Sequence, residues 1–185
     1  MTRTIAGRPI KQWLRKWRRQ QALVKRNLRD SYIHHLLGER LFHPHIWTLD
    51  RYALAGGLAL GLFVAFTPTI PFQMLLATLG ALFLSVNLPV AVLACWVTNP
   101  LTALPIYLAA RRLGEFLLRD TALVDNVAAL FGFQGYMGMF MEQSLYLWAG
   151  SLVFASVAGL LGYLVAQLAW DLGARWLRRR KQHRP

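Results

Sequence analysis

Between Arg51 and Arg111 the chain contains no Asp, Glu, Lys or His and no further Arg. A run of about sixty residues without a formal charge excludes a solvated surface for that stretch, and over such a length the medium that makes charge costly is a bilayer. Acidic residues are scarce throughout, 8 against 21 Lys and Arg, which leaves a formal charge of +13 on 185 residues. The single cysteine, Cys95, lies in the uncharged run, so no intrachain disulfide can form, and it reads as a small apolar packing residue. The first fifty residues lack the continuous apolar core before a small-residue cleavage site that a secretory signal needs, so insertion is expected to rest on later segments. The uncharged run also lacks a carboxylate pair, a nucleophile with a base, a metal-ligand cluster and phosphate-loop glycine spacing. The chain is therefore read as a non-enzyme with no cofactor and no metal.

What the run does contain is proline. Pro68 and Pro71 interrupt it in Thr-Pro-Thr-Ile-Pro, Pro89 follows Asn87-Leu88, and Pro100 and Pro105 bracket Leu-Thr-Ala-Leu. Each break frees backbone groups that lipid cannot satisfy, so the breaks must face protein, polar side chains or water. Short helices are expected over 53–66, 72–86, 90–97 and 101–118, the last mildly interrupted at Pro105. Gly56, Gly57 and Gly61 lie near one edge of the first, where another helix can approach closely. The breaks at Pro68 and Pro100 resemble each other, a hint of an internal repeat. Proline-interrupted apolar segments in corresponding positions point to a midplane site, where half-helix ends present backbone dipoles. The candidate ligand-binding residues are Thr67, Gln73, Asn87, Thr98, Asn99, Thr102, Tyr107 and Arg111. The competing reading is that these side chains cap freed backbone groups.

Charge is segregated. Lys and Arg number 12 up to Arg51, 3 from Arg111 to Arg119 and 6 from Arg175 to Arg184. Apolar residues at three-, four- and seven-residue steps from Ile10 to Leu28 predict a basic amphipathic helix, with Trp13 and Trp17 at the headgroup boundary and Arg15, Arg18 and Arg19 toward anionic lipid. The alternative is a helix packed on protein. A nucleic-acid partner is disfavoured, because the charge sits on flanks rather than on a folded soluble surface. Four of the five histidines, His34, His35, His43 and His45, gather before Trp47 but have no carboxylate or cysteine at ligand spacing, so solvated imidazoles are expected.

The stretch 144–170 is the clearest spanning helix. Ser151, Ala155 and Gly159 form one small-residue seam, with Gly162 in a second beside it, as in a bundle or a homo-oligomer. Arg178 and Arg179 belong to the basic tail that stops it. The expected organisation is a basic interfacial region (1–51), a proline-interrupted membrane core (52–118), a connector (119–143), a transmembrane helix (144–171) and a basic tail (172–185). The fold class is an all-α integral membrane protein: short proline-broken or re-entrant helices, one long C-terminal transmembrane helix and a basic N-terminal helix. The basic flanks place both termini in the cytoplasm and require an even number of crossings. Three crossing-equivalents plus the final helix satisfy this, and so does one net crossing with a re-entrant hairpin.

The segments Gly61-Leu-Phe-Val-Ala-Phe-Thr-Pro, Pro71-Phe-Gln-Met, Asn87-Leu-Pro, Trp96-Val-Thr-Asn-Pro-Leu-Thr and Tyr107 through Gly114 resemble a bacterial membrane family, domain of unknown function 2062 (DUF2062), over roughly Leu36 to Leu118. The resemblance implies a helical bacterial inner-membrane protein. In some relatives the domain is joined to glycosyltransferase-like regions, which implies envelope or lipid-linked sugar work; no catalytic role comes with it. Two functions are expected to compete. One is a module that handles or translocates a lipid or lipid-linked envelope intermediate on an anionic phospholipid membrane. The other is an adaptor that positions envelope enzymes of glycosyltransferase type.

Overall fold

Asp50 stands immediately before the apolar run, and its carboxylate accepts from the N–H groups of Tyr52 and Ala53, both at 2.9 Å. A short acceptor meeting orphan donors starts a helix. In the computed structural model, which describes residues 44–130, 132 and 135–182, this helix is α1, Arg51–Phe66. A 3-10 turn at Pro44–Trp47 precedes it. After it come α2 (Gln73–Leu84), α3 (Leu88–Ala94, continued by a 3-10 turn at Cys95–Val97), α4 (Ala103–Leu118), α5 (Leu123–Leu130) and α6 (Tyr136–Gln182). Every regular element among the described residues is helical. The expected N-terminal helix with Trp13, Arg15, Trp17, Arg18 and Arg19 lies outside the described residues, as do His34, His35 and His43.

The prolines set the boundaries. Pro68 follows the last residues of α1, and α2 begins two residues beyond Pro71. Ser85, in the left-handed region at φ 53°, ends α2. Asn87 then caps α3, and Pro89 sits in its first turn, where a missing N–H costs nothing. Pro105 likewise falls in the first turn of α4, which starts at Ala103. The interruption expected inside a helix from Leu101 is therefore a helix start. Gly132 and Gly135, at φ 63° and 61°, supply the left-handed turns between α5 and α6. Beyond them α6 runs for 47 residues, about 70 Å at 1.5 Å per residue, longer at both ends than the expected 144–171.

Close contacts give the path. Going along α1, Gly56 meets Val86, Gly57 meets Asn87, Gly61 meets Ala91 and Ala94, and the Thr98 hydroxyl reaches Ala65 O. Gly80 of α2 packs on Leu60. Helix α2 thus returns antiparallel along α1, and α3 runs back beside it, a hairpin confined to the length of α1. On α6, Asp171 pairs with Arg51, Gly162 faces Leu62 and Leu58, Gly159 faces Ala59 and Phe63, and Phe154 packs edge-on against Phe66 with ring centroids 6.4 Å apart. Gly150 then meets Ala110, and Gly114 meets Tyr146. So α1 and α4 run in the same direction, one after the other, both antiparallel to α6. Together they make one interrupted rod beside a continuous one.

The packing is inverted relative to a water-soluble domain. Buried positions are dominated by small residues, among them Ala53, Ala55, Ala65, Ala77, Ala81, Ala91, Ala94, Ala110 and Ala155. Large side chains such as Phe83, Leu93, Leu104, Phe116, Leu160 and Leu168 point outward. Only 22% of the most apolar window of α6 is buried, whereas a core helix of a soluble protein is mostly enclosed. Close approach of small residues, with large apolar side chains left outside, is how helices associate where the surroundings are as apolar as leucine. Helix α6 is the one element among the described residues long and apolar enough to cross a membrane.

Candidate functional site

The end of α1 exposes carbonyls that its own helix cannot satisfy. Thr67 turns its hydroxyl back to Val64 O at 2.7 Å, and its backbone N–H reaches the same oxygen at 3.1 Å. Thr98, 33 residues on, donates to Ala65 O at 2.7 Å. Tyr107, in the second turn of α4, donates to Thr67 O at 3.0 Å. Gln73, the first residue of α2, donates through Nε2 to Thr98 O at 3.1 Å. The Cys95 thiol lies 3.5 Å from Gly61 O. The Pro68 and Pro100 breaks therefore meet. Four of the eight candidate residues, Thr67, Gln73, Thr98 and Tyr107, form one hydrogen-bonded cluster where α1 ends and α4 begins.

The remaining four divide. Asn99 and Thr102 fold the second break upon itself. Asn99 Oδ1 accepts from Leu101 N–H at 2.9 Å and Thr102 N–H at 3.2 Å, while Thr102 Oγ1 donates to Val97 O at 2.7 Å. Asn87 lies at the opposite end of α1. Fully buried, it caps Val90 N–H through Oδ1 at 3.0 Å and donates through Nδ2 to Thr48 O at 2.8 Å, and its backbone N–H reaches Ala53 O at 3.0 Å. Arg111 stands at the middle of α4, bonded to Gln143 and 3.5 Å from Glu115. Asn87 is thus separated from the cluster by most of α1, whereas Arg111 lies one turn beyond Tyr107 but turns its side chain to α6. Capping explains most of these side chains, although the group satisfied differs from expectation at Gln73: a carbonyl rather than an N–H.

One atom stays outside that pattern. Gln73 is 8% exposed, and its Oε1 is buried with no hydrogen-bond partner. Turning the amide over would instead strip Thr98 O of its donor. Phe72, the N-cap of α2, contributes no side-chain bond, and the first backbone bond into that helix runs from Leu76 N–H to Phe72 O. The N–H groups of Gln73, Met74 and Leu75 are the uncapped start of α2.

Two polar clamps hold the rods at their ends. At the start of α1, Arg51 binds Asp171 at 3.0 Å and Gln167. Along the second half of α4, Arg111 binds Glu115 and Gln143, and Tyr146 donates to Glu142 at 2.9 Å. Sequence reading missed the first clamp, although Asp171 is the sole acidic residue after Glu142 and Gln167 lies one turn before it. Between the clamps, Trp148 and Trp170 are partly exposed on α6. They are 22 positions apart, about 33 Å of helix, close to the roughly 30 Å of a hydrocarbon core. The polar cluster is level with Phe154, inside that interval. The seam residues Ser151, Ala155, Gly159 and Gly162 are all buried within the chain, and Ser151 Oγ has no partner. Arg178 and Arg179 fall in the last turns of α6.

These features define an all-helical protein in which an interrupted helical rod lies antiparallel to one helix able to span a membrane. The chain belongs to the DUF2062 family, described as an uncharacterized protein conserved in bacteria; the match covers residues 34–182 and so takes in α5 and α6 as well as the proline-broken region. No curated protein and no solved structure matches it.

Proposed function

We infer that this protein is a non-enzymatic module of the bacterial inner membrane that handles a lipid or lipid-linked envelope intermediate at its broken crossing. In this reading α6 crosses once, α1 and α4 together cross once in the opposite sense, and the α2–α3 hairpin is re-entrant, dipping back beside α1. Two crossings leave both termini on one side, and the basic flanks make that side the cytoplasm. The observation that carries the reading is the meeting of two proline breaks beside Phe154, well inside the Trp148–Trp170 interval, with an unpartnered amide oxygen among them. Irregular backbone at that depth is tolerated where protein or a polar ligand covers it, and it is the arrangement found at transport sites.

The test is reconstitution in vesicles that contain an acyl-labelled fluorescent anionic phospholipid. Accelerated exchange of the label between leaflets, or saturable binding, is the expected result; neither exchange nor binding removes the reading. Topology is checked with single cysteines placed at Leu84 and Arg119 in a Cys95→Ser background. A membrane-impermeant reagent should label Leu84→Cys from the side of the termini and Arg119→Cys from the other.

A second reading, an adaptor for envelope enzymes, draws on the uneven cover of α6. Among the described residues no hairpin accompanies the pair alongside α4, and Leu101, Leu104 and Phe116 are exposed. The seam residues do not support this reading, since Ala155 and Gly159 are buried in the chain's own packing. Aspartate at Leu104 or Phe116 should then abolish capture of a defined envelope glycosyltransferase while fluorescent-lipid exchange persists.

A further inference from the structure

The chemistry left open at the broken crossing specifies more than a lipid. Every carbonyl that the cluster satisfies is met by a donor from the chain: Val64 O by Thr67, Ala65 O by Thr98, Thr67 O by Tyr107 and Thr98 O by Gln73. The one side-chain atom of the cluster left without a partner is Gln73 Oε1, an acceptor on a residue more than nine-tenths buried. An amide oxygen cannot donate, so only a group with an O–H or N–H completes it. Among the side chains that form this cluster none is cationic, and Arg111, one turn past Tyr107 on α4, is engaged by Gln143 and Glu115. The same residue opens α2, whose uncapped N–H groups at Gln73, Met74 and Leu75 are donors and carry the positive end of a twelve-residue helix. One end of one helix thus offers an unpartnered acceptor together with several donors. That pairing suits a headgroup that joins a phosphate to a hydroxyl or an ammonium group.

Resting on the lipid-handling reading above, we propose that Gln73 selects lipids whose headgroup carries a hydrogen-bond donor, accepting that donor through Oε1 while the start of α2 faces the phosphate. The substrate class is then a phospholipid of the ethanolamine or glycerol type, or a hydroxyl-bearing lipid-linked intermediate, in preference to a lipid whose headgroup has no N–H or O–H. The selection acts at the level of Phe154, where an unmade hydrogen bond has no water to replace it, so it weighs on passage more than on surface attachment.

The test uses the full-length chain in vesicles with acyl-labelled phosphatidylethanolamine and phosphatidylcholine. Both are zwitterionic, so surface charge attracts them alike, but only the first carries a headgroup donor. The expected result is about tenfold faster exchange of phosphatidylethanolamine, one buried hydrogen bond's worth of discrimination. Gln73→Met, similar in shape but lacking the acceptor, should bring the ratio close to one. Gln73→Glu, whose neutral acid keeps one donor for Thr98 O and one acceptor, should retain it. Equal exchange of the two lipids by the wild-type chain overturns the proposal and leaves lipid handling standing. A preference that survives Gln73→Met also overturns it. Exchange of neither lipid also overturns the proposal, and the anionic-phospholipid test above decides the lipid-handling reading separately. The wild-type comparison decides even if Gln73→Met does not fold.

Discussion

The closest helix contact in the molecule provides a graded test of the fold. A Cβ built on Gly114 would lie 1.8 Å from Tyr146 O and 2.6 Å from its carbonyl carbon; one on Gly150 would lie 1.8 Å from Ala110 O. Both obstacles are backbone, which cannot rotate aside as a side chain can. Bringing such a carbon to ordinary contact, about 3.4 Å, requires α4 and α6 to separate by about 1.5 Å. That separation loosens the packing on both sides of the contact and the weak Cα–H···O attraction that such crossings gain. Overpacking of this kind typically costs about 1–3 kcal/mol, and a backbone clash belongs at the upper end. Gly114→Ala or Gly150→Ala should therefore lower the melting temperature in detergent by about 5–10 °C. Gly162→Ala meets only the flexible end of Leu62, and Gly159→Ala meets Ala59 O at 3.2 Å, so each should cost a fraction of that. Gly173 has nothing within 4 Å of its added carbon, and Gly173→Ala should be neutral or stabilising by up to about 1 kcal/mol through helix propensity alone. Fluorescence-detected size exclusion after a temperature series measures all five. If Gly114→Ala and Gly150→Ala melt together with Gly173→Ala, the α4–α6 crossing is not as described.

Three further outcomes follow from the hydrogen bonds. Asn87→Leu removes the cap on Val90 N–H and leaves the part-buried Thr48 O without its Nδ2 donor, so a loss of about 1–3 kcal/mol is expected by thermal or denaturant unfolding, with Asn87→Asp losing less because it keeps the cap. Thr98→Val strips the 2.7 Å bond from Ala65 O at near-constant volume and should cost about 1–3 kcal/mol in the same measurement; Thr78→Val, at an exposed hydroxyl bonded only to Met74 O, should cost under about 0.5 kcal/mol. The Arg51–Asp171 pair is about a third exposed at both ends, so a double-mutant cycle with Arg51→Gln and Asp171→Asn should return a coupling below about 1 kcal/mol that shrinks with added salt.

Much of this architecture is local and could be read residue by residue. The absence of charge from 52 to 110 marks the apolar stretch, and proline marks where helices start, since a ring without an N–H is tolerated in a first turn and not beyond it. Asn87 before Leu-Pro is a cap by composition alone, and Gly56, Gly57 and Gly61 announce a close approach without naming the partner. Boundaries were less legible. Helix α6 begins at Tyr136, inside the expected connector, because the turns of that stretch are confined to Gly132 and Gly135 and the chain is helical directly after them.

What the sequence alone determined is thus the short helices of the proline-broken region, the apolar C-terminal helix and the residues able to satisfy broken backbone. Which backbone each one satisfies was decided by tertiary structure. Thr98 serves Ala65 and Tyr107 serves Thr67 across 33 and 40 residues, and Arg51 finds Asp171 across 120. Asn87, grouped by polarity with the break residues, ends at the opposite end of α1, and Arg111, one turn past Tyr107, serves α6 instead. The physical reason is that a free carbonyl specifies only that it needs a donor. Which donor arrives depends on how the small-residue faces bring the helices together, and that is a property of the packed whole.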